Sequence, residues 1–300
     1  MRAVLSTLFV LGMTLALGTP SSAQVSGVDH VVVIGVDGMG PAGIEGADTP
    51  NMDGLAAEGA HSFKARGVMP TSSAPNWASM IMGAGPEQHG VTSNDWTPFK
   101  YEIEPLEKGP GQIFPTMFSL VHEQKPDAWQ AVIHHWKGFG FLFERKLVNQ
   151  IENGETQQDT TARAVKCIQD HRPYLLFVHL DHVDAALHGA GWLTPEYFAA
   201  VAEADKLIGE IIGALKETGI YDSTLVIVTA DHGGKDRGHG GATTQEIEIP
   251  WIIHGPGVRS GVELEEPINT YDTAATVAYV LGLKTPNVWT GKPVLEAFTK

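Results

Sequence analysis

The chain is poor in cysteine and in positive charge. Cys167 is the single cysteine among 300 residues, so an internal disulfide and a multi-cysteine zinc module are both excluded. Lys and Arg number 20 against 35 Asp and Glu, a formal net charge of −15. Such a surface lacks the cations that neutralise the phosphates of a nucleic acid polymer, so no polymer partner is expected. Long apolar runs are scarce as well. The longest, Val4 to Leu17, follows Arg2 and precedes Ser21-Ser22-Ala23, the arrangement of a cleaved export signal. It is short for a membrane span of about 20 residues. Residues 1–23 are therefore read as a signal peptide, and −15 becomes −16 once Arg2 is gone. Residues 24–300 are expected to form a single secreted or periplasmic domain with no membrane anchor.

What is present is a core. Apolar residues make up 43% of the chain and charged residues 18%, enough to fold without help and too apolar for disorder. His30 to Val36 is a continuous β-branched run, the pattern of a strand buried on both faces. Ala131 to His134, Tyr174 to His179, Thr224 to Ala230 and Trp251 to His254 repeat it. Helical patterns lie between them, over Pro50 to Gly59, Asn76 to Met82, Thr160 to His171, Pro195 to Thr218 and Asp272 to Leu281. Thr49 is placed to cap the first of these, with Pro50 at its first position. Strands alternating with helices predict an α/β fold of three α/β/α layers around a mainly parallel sheet. Cys167 falls in one of the helical patterns and reads as a small, inert core residue. The Pro/Gly-rich stretch Lys108 to Pro115 reads as a surface loop.

In such sheets ligands sit beyond the carboxyl ends of the strands. Three of the runs end on acid. Asp37-Gly38 follows the first, a pair that alone suggests only a turn. Asp184 and His188, four apart, follow the third and share one face if the segment is helical; Asp181 and His182 compete for the same role. Asp231-His232-Gly233-Gly234 follows the fourth, and His239 comes seven residues later among more glycines. Three carboxylates and three imidazoles at one rim would repel without cations, and their mixed oxygen and nitrogen atoms suit zinc. Ser73, in Thr71-Ser72-Ser73-Ala74-Pro75-Asn76, enters a helix, where the dipole and free N–H groups favour an anion. An ordinary N-cap serine has the same signature.

These residues resemble the alkaline phosphatase superfamily, and within it the type I phosphodiesterase/nucleotide pyrophosphatase branch. The matching motifs, in order, are Asp37-Gly38, Ser73-Ala74-Pro75-Asn76, Gly85-Pro86-Glu87-Gln88-His89-Gly90, Asp184 to His188, Asp231-His232-Gly233 and His239-Gly240. Asp48 to Leu55 also looks like this superfamily. The resemblance implies two zinc ions, one held by Asp37, Ser73, Asp231 and His232, the other by Asp184, His188 and His239. It further implies that Ser73 is the nucleophile of a covalent phospho-serine mechanism, and that Asn94, with a backbone N–H near Ala74, holds a phosphoryl oxygen.

The departures are informative. The branch usually has Thr where this chain has Ser73, and either hydroxyl can attack. Trp77 stands where sulfatases carry Arg, which counts against sulfate ester hydrolysis. The last His follows Asp231-His232 closely, whereas many nucleotide pyrophosphatases insert a long segment there. No Lys or Arg occurs between Pro70 and Asn94, where a phosphomonoesterase would meet the dianion. The expectation is a hydrolase of small phosphodiesters, with phosphomonoesterase as the alternative and sulfatase or phosphonate hydrolase behind it. Arg145, Lys137, Lys235 and Arg237 are the cations that could reach the substrate. Trp77, Trp96 and Phe99 are either stacking platforms for a base or aryl group or ordinary core aromatics.

Overall fold

A computed structural model describes residues 24–299. The strands are β1 (His30–Val36), β2 (Ala60–Arg66), β3 (Gln130–His134), β4 (Gln150–Asn153), β5 (Leu175–Leu180), β6 (Thr224–Thr229), β7 (Glu248–His254) and β8 (Val262–Glu263). They form one sheet in the order β4-β3-β5-β1-β6-β7-β2-β8. The runs expected to be buried on both faces are so: β5 and β6 throughout, and β1 in all but its first residue. The strands that the sequence pattern did not mark are β2, β4 and β8. All three carry polar or half-exposed residues, as strands near a sheet edge do.

Helices cover both faces. One layer packs α1 (Pro41–Gly46), α2 (Pro50–Glu58), α6 (Gln157–His171) and α7 (His182–Gly189) around the long α8 (Pro195–Glu217). The other joins α3 (Ser73–Met82), α4 (Pro86–His89), α5 (Met117–Gln124) and α10 (Asp272–Val280). A last short helix, α9 (Thr244–Ile247), sits in a loop. The three-layer, mainly parallel expectation therefore holds. Thr49 precedes α2 as expected, but its side chain caps nothing. The buried Asp205 of α8 takes that role, accepting from the N–H groups of Asn51 (3.2 Å) and Met52 (2.7 Å), a carboxylate on a helix N-terminus. Cys167 is buried in α6, where burial pushes its thiol up to about 12, so it is inert.

One strand is reversed. β7 runs antiparallel to both neighbours, β6 and β2. Two reversals restore the direction, so β2 points the same way as β1, β5 and β6, and all four carboxyl ends reach one rim. A parallel successor to β6 would have needed a crossover to the far end of the sheet. Because β7 is reversed, residues 230–247 begin and end on the rim.

Candidate active site

The rim collects what the sequence pattern pointed to. Asp37, one residue past β1, is buried, and its N–H donates to Leu180 O at 2.8 Å. Gly38 has φ +72, and a Cβ there would lie 2.9 Å from the Asp184 backbone, so only glycine lets α7 approach. The Gly38 N–H donates to Asp231 Oδ1 (3.1 Å), and its carbonyl accepts from the Tyr197 hydroxyl (2.8 Å). The Asp-Gly turn is thus the knot that ties β1, the post-β6 loop and α8 together. Asp184 and His188 do lie on one helix, α7, four residues apart, with Nε2 and Oδ2 separated by 3.4 Å.

The imidazoles share one arrangement. Nδ1 of His188 faces Arg237 O (2.9 Å), Nδ1 of His232 faces Gly233 O (2.8 Å) and Nδ1 of His239 faces Thr71 O (2.8 Å). A carbonyl oxygen only accepts, so in each neutral ring the proton is on Nδ1 and Nε2 presents a lone pair. Those lone pairs point at carboxylates. His232 Nε2 is 3.2 Å from Asp231 Oδ2 and 3.4 Å from Asp37 Oδ1, and His239 Nε2 is 3.7 Å from Asp184 Oδ1. The same three oxygens, Asp37 Oδ1, Asp184 Oδ1 and Asp231 Oδ2, are buried and take no hydrogen bond. Lone pair facing lone pair is repulsive unless a cation lies between. Zinc bonds of about 2.0–2.1 Å at tetrahedral angles put ligand atoms about 3.3 Å apart, near these separations.

Ligand-capable groups fall into overlapping sets whose donor atoms lie within 4.8 Å of one another: Asp184, His188 and His239; Asp37, Asp184 and His232; Asp37, His179 and Asp181. Burial first, then mutual repulsion, drives the carboxyls toward their neutral forms. Asp37 is pushed up to about 7 by burial and by Asp231; Asp184 and Asp231 also shift upward, again mainly by burial. His232 shifts downward through burial, which favours the neutral ring a metal binds.

Ser73 opens α3, three residues earlier than the pattern suggested, and its Oγ is 3.5 Å from His232 Nε2. Pro75 sits inside the first turn, as expected. The neighbouring Asn76 holds the loop into the helix: its Oδ1 accepts from Val68 N–H (2.6 Å), and its Nδ2 donates to the carbonyls of Pro70 (3.1 Å) and Ser72 (2.9 Å). Thr71 Oγ1 donates to Gly241 O (2.7 Å) and accepts from Gly240 N–H (3.0 Å), clasping that loop to the one bearing His239. Asn94 arrives beside Ser73, but one detail differs from expectation. The Ala74 N–H donates to Asn94 Oδ1 at 2.8 Å, so these two groups satisfy each other and Asn94 Nδ2 remains as the outward donor.

Other expectations are corrected. His182 points away from the rim and bonds Ala200 O (3.1 Å), so it does not compete with Asp184. Asp181 stays at the rim but keeps company with Asp37 and His179. Of the aromatics that could either stack or pack, Trp77 and Trp96 are buried in the core, whereas Phe99 is 84% exposed. Trp77 instead donates from Nε1 to Asp37 Oδ2 at 3.0 Å, lying where a Cβ on Gly35 would sit 2.4 Å from its ring. His179 Nε2 is 3.2 Å from the same oxygen. The sequence analysis missed both roles; a histidine in the middle of an apolar strand was the available signal for His179. His89, in its Pro-x-x-His-Gly motif, is structural. It accepts at Nδ1 from Val91 N–H (3.0 Å) and meets Ser79 Oγ at Nε2 (2.9 Å). Among the described residues no Lys or Arg pairs with Asp37, Asp184 or Asp231. Arg237 touches the rim through its carbonyl, and Arg145 bonds Gly140 O at 3.3 Å.

Comparison with known proteins agrees with this geometry. A family model described as type I phosphodiesterase / nucleotide pyrophosphatase matches residues 31–132 and 112–240. An uncharacterized pyrophosphatase/phosphodiesterase of Schizosaccharomyces pombe is 28% identical over 244 residues, 74% of this chain and 47% of that protein. Arylsulfatase K of Danio rerio is 35% identical over 92 residues, 29% of this chain and 18% of that one. The chain spans less than half the length of these curated relatives. Among solved structures, murine ectonucleotide pyrophosphatase/phosphodiesterase 5, as an inactive variant in complex with AMP, superposes with TM-score 0.76 at 16% identity, covering 90% of this chain and all of that one. The phosphonate monoester hydrolase of Silicibacter pomeroyi gives 0.65 at 16% identity, covering 88% of this chain and 75% of that one. With the family model covering most of the chain, the protein belongs to the type I phosphodiesterase / nucleotide pyrophosphatase family.

Proposed function

We propose that the protein is an exported, two-metal phosphodiesterase that works through a covalent phospho-serine at Ser73. One observation carries this reading: two Nε2 lone pairs, those of His232 and His239, face three unpartnered carboxylate oxygens at 3.2–3.7 Å. Asp37, Ser73, Asp231 and His232 would hold one divalent ion, and Asp184, His188 and His239 the other, with zinc the best match to the donor set. Such ions, when bound, neutralise the carboxylates and make the adjacent hydroxyl easier to ionise.

The chain's own groups do the rest. The α3 N-terminus stabilises negative charge on Ser73 Oγ. Oγ attacks phosphorus as the bond to the leaving oxygen breaks, and the hydroxyl proton goes to solvent. Asn94 Nδ2, aimed by the bond from Ala74 N–H, donates to a phosphoryl oxygen where charge accumulates. Water then attacks the phospho-serine in line, restoring the hydroxyl and releasing a phosphomonoester. The lack of Lys or Arg from Pro70 to Asn94 favours a monoanionic diester over a dianionic monoester. Residues 1–23, outside the described residues, carry the export pattern. No helix among the described residues is long and apolar enough to cross a membrane.

The test is to assay the full chain with a bis-aryl phosphodiester, an aryl phosphate and an aryl sulfate, with and without chelator. The diester should turn over fastest, and chelator should abolish it. A faster monoester or sulfate overturns the substrate reading; a rate indifferent to chelator overturns the metal reading.

A further inference from the structure

A pocket of about 250 Å³ lies beside the rim, lined by Pro98, Pro110, Ile113, Phe141, Phe143 and Arg145. We propose that it receives the apolar organic group, aliphatic or aryl, of the phosphoester whose phosphorus sits at Ser73. The inference rests on the phosphoesterase reading and names the substrate class for it.

Three observations converge. The first is continuity with the site. Asn94 bonds Ala74 N–H, and Pro98 is four residues further on, within about 14 Å even if that chain is fully extended. On the other wall, a Cβ on Gly140 would lie 3.3 Å from the His134 ring. His134 is paired in register with His179, and His179 Nε2 is 3.2 Å from Asp37. Two strand spacings, about 10 Å, separate β3 from β1 along the rim.

The second is exposed apolar surface. Of seven large apolar side chains exposed among the described residues, Phe141 lines the pocket, and Phe99, Tyr101, Ile103 and Leu106 lie in the 97–113 segment that gives it Pro98, Pro110 and Ile113. Surface of that kind is concentrated where something covers it.

The third is the polar inventory. Both Glu144 oxygens accept from Thr116, from its N–H and its hydroxyl. Arg145 bonds only a carbonyl, that of Gly140, and makes no ion pair, and Lys146 adds a second cation to the lining. An apolar pocket beside an unpaired guanidinium suits an ester that keeps a negative charge. Prolines, which have no N–H, supply two of its walls, and no side chain lining it offers the amide or hydroxyl that would read a nucleobase edge.

The probe is a series of monoalkyl phosphates, from methyl through butyl to hexyl, and adenosine monophosphate. Each is titrated calorimetrically into the full, metal-loaded chain. A buried CH₂ is worth about 0.8 kcal/mol, about fourfold in affinity. Partial burial of the chain should give hexyl phosphate at least a tenfold advantage over methyl phosphate. In Phe141→Ala the advantage should shrink to about threefold or less, with methyl phosphate affinity unchanged. A flat series in the parent chain, an undiminished series in Phe141→Ala, or adenosine monophosphate binding as tightly as hexyl phosphate would overturn the proposal. The phosphodiesterase reading fails separately, through absence of diester turnover, because binding is measured without it.

Discussion

The rim above β5, β1 and β6 and the flank formed by residues 97–113 and 137–146 break opposite rules. On the rim, charge is buried: Asp37, Asp231 and His232 are all but inaccessible, and one oxygen of each carboxyl takes no hydrogen bond. On the flank, apolar groups face water, Phe99 at 84% and Leu106 at 66% exposure. Each arrangement costs free energy in the isolated chain. The costs differ in kind, and so do the ligands that would recover them: cations on the rim, an apolar group on the flank.

The comparison can be broken most decisively at Ser73. In Ser73→Ala, diester turnover should fall by at least about a thousandfold, while bound metal, measured by elemental analysis, remains. Retained turnover removes the rim from the chemistry. Asp184→Asn comes next, because Asp184 joins two ligand sets. With metal present the variant should melt below the parent. In chelator it should equal or exceed the parent, by about 1 kcal/mol, because one of the facing charges is gone. A variant that is less stable in both conditions would mean the carboxylates stabilise the fold by themselves.

Buried polar groups away from the candidate metal site supply a control. His89 is held near 3 by burial, against 6.5 when unfolded. Between those values the unfolded chain binds a proton and the folded chain does not. Its contribution is therefore intact above pH 6.5 and drains away as pH falls toward 3, by at most about 1.4 kcal/mol per pH unit. Urea midpoints against pH should show a shallower acid slope in His89→Gln; an unchanged slope assigns the acid sensitivity elsewhere. Trp77→Phe keeps the ring and loses the donor to Asp37 Oδ2. Chelator competition should show metal affinity reduced by about 10–100-fold, as for other groups that orient ligands. The smallest effect belongs to the flank: Leu106→Ser should change unfolding free energy by less than about 0.5 kcal/mol. A larger loss would place Leu106 in the core.

Much of this was legible in the sequence, for a physical reason. A strand buried on both faces is a continuous apolar run, so the first polar residue after it marks the rim. That is how Asp37 and Asp231 announce themselves, and Asp184 and His188 add helical spacing. What stayed hidden depends on tertiary packing. His179 is masked inside the run of β5, and its contact with Asp37 exists only because β5 pairs with β1. Trp77 could be assigned to the core or to a substrate until its Nε1 was placed. The bond between Ala74 N–H and Asn94 needs a 20-residue excursion to close. β2 alternates with half-exposed positions and carries no apolar run, so the strand that delivers Ser73 gave no signal.

The reversed strand β7 bears on how the protein can be lengthened. The connection carrying Asp231, His232 and His239 leaves and rejoins the sheet at neighbouring positions, Thr229 opposite Trp251. Extra residues spliced between His232 and His239 would project over the rim and leave the sheet's hydrogen bonds untouched. Chain entropy barely opposes this, since doubling a flexible loop costs about 0.6 kcal/mol. The compact connection here is thus a natural graft point, where a cap over the site can be gained or lost without redesigning the scaffold beneath it.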